Sequence, residues 1–167
     1  HRREHFQRGV LTRIFVFVIG TRPEVIKVAP VIRRLKETAW ATVRIVTTGQ
    51  QGNLLEQALA EFNLRPDVAI RHRQSCHTPA ILASQLIRRL DRYFGESKPD
   101  CVLAQGDTTT AYAASVAAFY RRIPYAHIEA GLRTRSLDAP FPEEFHRRSI
   151  AISSDLHFAP TSAAAQN

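Results

Sequence analysis

Glu143 and Glu144 stand side by side in GLRTRSLDAPFPEEFHRR (131–148), a Pro-punctuated stretch that also carries Arg133, Arg135, Arg147 and Arg148. Carboxylates can move protons, and guanidinium forks can hold an anion. A helix built only for stability has no need of both at that density, so the block reads as a polar site for an anionic substrate. The simpler alternative is ion pairing along a helix, because Glu143–Arg147 and Glu144–Arg148 are each spaced i,i+4. Glu143 and Arg147 are the better site candidates, since they lie nearest the preceding loop. Glu144 and Arg148 read as structural partners.

Three further segments have the same character. In QGDTTT (105–110), Asp107 follows an apolar run. It can cap the next helix, or act as an acid or base if burial raises its pKa. In HIEAG (127–131), Glu129 directly follows another apolar run. A glutamate there is seldom buried idly, and Arg133 beyond it can hold phosphate or neutralise nearby acids. In GTRP (20–23), Gly20 allows a tight turn into a helix whose free N–H groups favour an anion. Arg22 and Lys27 add charge there, although Lys27 can instead pair with Glu24 along the helix.

These segments need elements to carry them. IFVFVI (14–19) suits a parallel strand covered on both faces. Pro23 opens a helix to about residue 38, with Pro30 expected to kink or split it. TVRIVTT (42–48) is a second strand, and Asn53 caps a helix to about Phe62. A short strand near 68–70 precedes a helix over 79–94 that buries Leu82, Leu86, Leu90 and Phe94. CVLAQ (101–105) is the next strand, and the alanine-rich stretch from Thr108 to Tyr120 is a helix lying close to the sheet. YAHI (125–128), a helix over 143–153, a strand over 156–159 and an element starting at Pro160-Thr161 follow. Such alternation predicts a doubly wound α/β domain with a parallel sheet. Gly20, Gly49, Gly106 and Glu129 all fall at strand ends, so four polar loops converge on one rim, where ligands bind in this architecture.

Composition narrows the classes. A chain of 167 residues with 44% hydrophobic content fits one globular domain. The net charge of +8 is not gathered into a basic stripe, and Arg2, Arg3, Arg8 and Arg13 sit at the N-terminus. An anion site and a solvated surface account for it without nucleic acid. Residues 1–12 read as a basic tail, with the domain over 13–167. No apolar run reaches the roughly 18 residues of a membrane span. Cys76 and Cys101 make no disulfide scaffold. His72, Cys76 and His77 have ligand-like spacing but lack a fourth partner, so no metal is expected. His127, flanked by strand residues, reads as a core-edge histidine. There is no Walker A, GxGxxG or GxSxG motif.

Taken together, GTRPEVIKVAP (20–30), TTGQ (47–50), QGDTTT (105–110), HIEAGLRT (127–134) and PFPEEFHRR (140–148) closely resemble the non-hydrolysing UDP-N-acetylglucosamine 2-epimerases. Any one block is weak; five in order, each in strand–loop–helix context, are specific. The resemblance covers residues 13–167. It implies a Rossmann-like three-layer domain, the first half of a two-domain GT-B fold, with the second domain absent from this sequence. It also implies cytoplasmic homodimers that interconvert UDP-N-acetylglucosamine and UDP-N-acetylmannosamine for surface polysaccharides, with no cofactor or metal, and in several bacterial members with allosteric activation by UDP-N-acetylglucosamine. Asp107, Glu129 and Glu143 match the family's catalytic acids. Arg22 and Lys27 match cations near the leaving group, Arg147 matches the arginine after the PEE segment, and Gln50 and Arg133 help shape the pocket.

Departures from the family pattern are local. Gln51 and Gly52 stand where the family usually has histidine and arginine, and His146 where it has asparagine. The expectation for this chain alone is weak or no activity. A UDP-sugar glycosyltransferase of the same fold, or a non-catalytic dimerisation or regulatory domain, are the alternatives.

Overall fold

The first strand, β1 (Arg13–Ile19), sends Val16 and Val18 to one side and Phe17 and Ile19 to the other, all of them buried. A strand apolar on both faces must be covered on both, which is the arrangement of a parallel sheet between helical layers. The computed structural model describes residues 12–49, 52–70 and 78–167. Within them, β1 joins β2 (Ala41–Thr47), β3 (Val68–Ala69), β4 (Cys101–Gln105), β5 (Tyr125–Ile128) and β6 (Leu156–Phe158). The strands pair in parallel in the order β3-β2-β1-β4-β5-β6.

The helices α1 (Arg22–Lys36) and α2 (Asn53–Glu61) pack Val25, Val28, Ile32, Leu55 and Leu59 against Phe17, Ile19 and Ile45. On the opposite face, α3 (Pro79–Ser97), α4 (Thr109–Tyr120) and α5 (Glu143–Ser153) cover Val16, Val18, Val102 and Ala104. Leu86, Leu90 and Phe94 of α3 are fully buried, each contributing roughly 1.5–3 kcal/mol through removal from water. Helix α4 is buried almost all round through Ala111, Ala113, Ala114, Ala117 and Ala118. Those small side chains let it sit between the sheet, α3 and α5. A last short helix, α6 (Ser162–Ala165), is capped by Thr161, whose hydroxyl accepts from the Ala164 N–H at 3.1 Å.

Three local expectations change. Helix α1 runs through Pro30 as one element. Pro30 and Ile26, whose carbonyl the missing N–H leaves free, both lie on the exposed side, where water can satisfy that oxygen, while Val28, Ala29 and Ile32 hold the buried side. Gly52, not Asn53, occupies the cap position of α2. Helix α3 extends to Ser97 and stops where Lys98 turns left-handed at φ 44°. No helix among the described residues is long and apolar enough to cross a membrane.

Strand order reverses between β1 and β4, which are direct neighbours. A doubly wound sheet opens a crevice at such a point, beyond the carboxyl ends of its strands. The GTRP and QGDT loops leave those two ends.

Candidate active site

The first loop is packed onto the second. A Cβ on Gly20 would stand 2.3 Å from Thr110 Oγ1 and 2.8 Å from Thr48 Oγ1, so only glycine lets β1 end so close to α4. Glu24, 2% exposed, accepts the backbone N–H groups of Gly20 and Thr21, and its other oxygen accepts the Thr108 hydroxyl at 2.7 Å. One carboxylate thereby ties the β1–α1 loop to the β4–α4 loop. Burial raises its pKa, and the bonds from Gly20, Thr108 and Thr21 only partly offset that. Glu24 is thus not the helix partner of Lys27.

Lys27 instead reaches across the rim, its Nζ lying 2.7 Å from Glu129 Oε1. The other oxygen of Glu129 accepts from the Gln105 side-chain amide. The Glu129 backbone sits at φ 69°, a region a non-glycine residue enters at some cost. It is held there because the N–H groups of Glu129 and Ala130 both donate to Phe158 O, at 2.9 and 3.0 Å. A glutamate kept in a costly conformation at the ligand rim fits a functional position better than an idle one.

Asp107 is released from capping. Thr108 is the cap residue of α4, its hydroxyl accepting from the Ala111 N–H at 3.2 Å. The Asp107 carboxylate turns to Arg147, whose Nε and Nη2 donate to Oδ2 at 2.8 and 2.7 Å. The Nη1 of Arg147 donates to Glu144 at 3.1 Å, and Arg148 Nε donates to the other Glu144 oxygen at 2.8 Å. Of the two ion pairs raised as the simpler alternative, Glu144–Arg148 forms, while Arg147 turns to Asp107 and Glu144. Glu144 is fully buried and does more than brace Arg148, because it also orients the arginine that holds Asp107. Burial opposes charge on Glu144, but the Arg148 and Arg147 guanidiniums outweigh it and hold its pKa below the usual range. Arg147 moves the other way: burial works to lower its pKa, and Glu144 and Asp107 together raise it.

Gly106 joins the two halves of the cluster. A Cβ at that glycine would be 3.6 Å from Glu129 Oε2. Lys27, Gln105, Asp107, Glu129 and Arg147 thus surround the carboxyl ends of β4 and β5. Glu143 is half-buried at the first turn of α5, on the same side of the sheet as Arg147. Arg22 is exposed at the start of α1. Arg133 is half-buried and donates to the oxygen of its neighbour Leu132 at 2.8 Å. Gln50, Gln51, His72, Cys76 and His77 lie outside the described residues. His127 is buried, as a core-edge histidine should be. Sequence reasoning missed Glu24, Gln105 and the second duty of Glu144. The signal for Glu24 was its place at the third residue of a helix behind Thr21, a capping-box position.

Residues 33–167 match the family model described as UDP-N-acetylglucosamine 2-epimerase. The chain belongs to that family. The UDP-N-acetylglucosamine 2-epimerase of Bacillus subtilis (strain 168) is 44% identical over 150 residues, which is 90% of this chain and 40% of that protein. The crystal structure of UDP-GlcNAc 2-epimerase from Neisseria meningitidis bound to UDP-GlcNAc matches with a TM-score of 0.89 and 42% identity, covering 92% of this chain and 42% of that one. The S. aureus MnaA–UDP co-structure matches with a TM-score of 0.89 at 37% identity, over 93% of this chain and 41% of that one. The chain thus spans about two fifths of the length of the epimerases it matches. Its Rossmann-like three-layer sheet corresponds to the first half of their GT-B architecture.

Proposed function

We propose that this chain supplies the proton-transfer half of a non-hydrolysing UDP-N-acetylglucosamine 2-epimerase, with Asp107, Glu129 and Glu143 as its catalytic acids. The observation that carries the reading is the pairing at the rim: two carboxylates at the ends of adjacent strands, each held by a cation from a different element. Lys27 meets Glu129 and Arg147 meets Asp107. Surface pairs as open as Lys27–Glu129 contribute little to stability, so their convergence on the ligand crevice is better explained by chemistry.

The C2 hydrogen of a pyranose is hardly acidic and has no adjacent carbonyl. Elimination avoids that difficulty. The C1–O bond to UDP breaks, its electron pair leaving with the diphosphate, while a carboxylate takes the C2 proton and a C1=C2 double bond forms in 2-acetamidoglucal. Delivery of a proton to the opposite face of C2 and return of the UDP oxygen to C1 complete the inversion, with no net oxidation. The chemistry needs carboxylates that exchange protons beside the sugar and cations near the diphosphate. Asp107, Glu129 and Glu143 meet the first need as a set. Arg22 and Lys27, cations on the first two turns of α1, meet the second. By the family resemblance alone, Arg133 and Gln50 are assigned to shaping the same pocket.

The chain spans only about two fifths of the length of its relatives, so alone it is expected to epimerise weakly or not at all. The test joins this chain to the remainder of the Bacillus subtilis relative in place of its matching 150 residues. The hybrid is expected to convert UDP-N-acetylglucosamine to UDP-N-acetylmannosamine without any acceptor sugar. A folded hybrid that binds UDP yet transfers sugar only to an acceptor would point to a glycosyltransferase instead.

A further inference from the structure

Two successive carbonyl oxygens of the β4–α4 loop each accept a hydrogen bond from an imidazole. His127, on β5, meets the Gly106 oxygen through Nε2 at 2.8 Å. His146, on α5, meets the Asp107 oxygen through Nδ1 at 2.7 Å. Both residues are buried, at 1% and 4% exposure. A carbonyl can only accept, so the facing ring nitrogen must carry the hydrogen. Burial pushes both pKa values down, which keeps each ring neutral near pH 7 with a single N–H to place. The Nδ1 of His127 is buried with no partner among the described residues. A hydrogen there would be an unsatisfied donor, so this too puts the proton on Nε2.

The two carbonyls belong to the two peptide planes that meet at the Asp107 Cα. Because each plane is rigid, fixing both fixes the φ and ψ of Asp107. Gly106 supplies the turn into this conformation at φ 78°, and its own N–H is held by Ile128 O at 2.9 Å. Arg147 then fixes the far end of the Asp107 side chain. We infer that His127 and His146 are positioning residues that clasp the backbone on both sides of Asp107 and present its carboxylate to bound sugar in one orientation. The role in the reaction rests on Asp107 being a proton-transfer group; the clasp itself does not. His146 also stacks on Tyr112, with ring centroids 4.9 Å apart and planes 13° apart, so packing is the competing explanation of its presence.

The two explanations separate cleanly. In the isotopically labelled chain, long-range proton–nitrogen spectra at pH 7 are expected to show His127 as the Nε2–H tautomer and His146 as the Nδ1–H tautomer. The reverse tautomer at either ring overturns the clasp, and this reading needs no variant to fold. His146→Asn keeps an N–H near the Nδ1 position and loses the stacked ring, whereas His146→Phe keeps the ring and loses the donor. The readout is solvent exchange of the Arg147 Nε–H, which the Asp107 carboxylate holds. His146→Asn is expected to stay within about twofold of the parent, and His146→Phe to exchange about tenfold faster or more. Protection kept by Phe, whether or not Asn keeps it, means the ring serves packing and overturns the inference. None of these measurements requires turnover. Failure of the clasp therefore leaves the epimerase reading standing, and failure of that reading leaves the clasp standing.

Discussion

Arg147 divides its guanidinium between two carboxylates, and the division gives each a different task. Asp107, a quarter exposed, is the acid left facing the crevice, while Glu144 is sealed from solvent beneath it. Glu144→Gln keeps the shape but removes the charge that Arg147 and Arg148 answer, so it is expected to cost about 1.5–3 kcal/mol of stability at neutral pH. The pH dependence has a defined sign. Because the folded pKa of Glu144 lies below its ordinary value, its contribution is present at neutral pH and fades as pH falls through that lowered value. Denaturant titrations of parent and variant should therefore differ at pH 7 and converge in strong acid. A constant gap across that range would mean that Glu144 acts through shape alone.

At the level of elements, the site depends on how tightly β1 and α4 approach. The Thr48 and Thr110 hydroxyls lie 2.8 Å apart directly against Gly20. Gly20→Ala is expected to lose roughly 1–3 kcal/mol through overpacking. Adding Thr110→Ala, which removes the nearest contact, should recover part of that loss, a coupling that a double-mutant cycle measures. Simple additivity would contradict the close-approach argument. The strands were readable in advance because parallel strands are apolar on both faces, as IFVFVI and CVLAQ are. Helix α4 was readable because alanine is both a strong helix former and small enough to pack closely. What resisted reading was partner choice. Asp107 and Thr108 both cap helices well, and only the fold shows that Thr108 does so. Lys27 had a plausible partner three residues away in Glu24, yet its actual one is 102 residues on. Long-range pairing of this kind leaves no local pattern in a sequence.

Across the molecule, helical cover is uneven. Helices α1 and α2 lie over one part of their face of the sheet. Among the described residues, an open apolar groove of about 560 Å³ runs between α1 and the edge of the sheet, lined by Val31 and Leu35 of α1 and by Leu103, Ile128, Leu156 and Phe158 of β4, β5 and β6. Leu156 and Phe158 are each about half exposed. A contiguous apolar surface of this kind favours association. The isolated chain is expected to self-associate with rising concentration in sedimentation experiments, and Phe158→Glu to shift it toward monomer. A parent that stays monomeric throughout would contradict this. If the rim acids of this chain move the C2 proton, the hybrid with the remainder of the Bacillus subtilis relative will carry that exchange. The measurement is deuterium incorporation at C2 of UDP-N-acetylglucosamine in heavy water, for the hybrid and for its Asp107→Asn, Glu129→Gln and Glu143→Gln forms. Exchange is expected in the hybrid, and a fall of about 100-fold or more in each substituted form with UDP affinity retained. Exchange near the hybrid's own rate in all three would contradict the account.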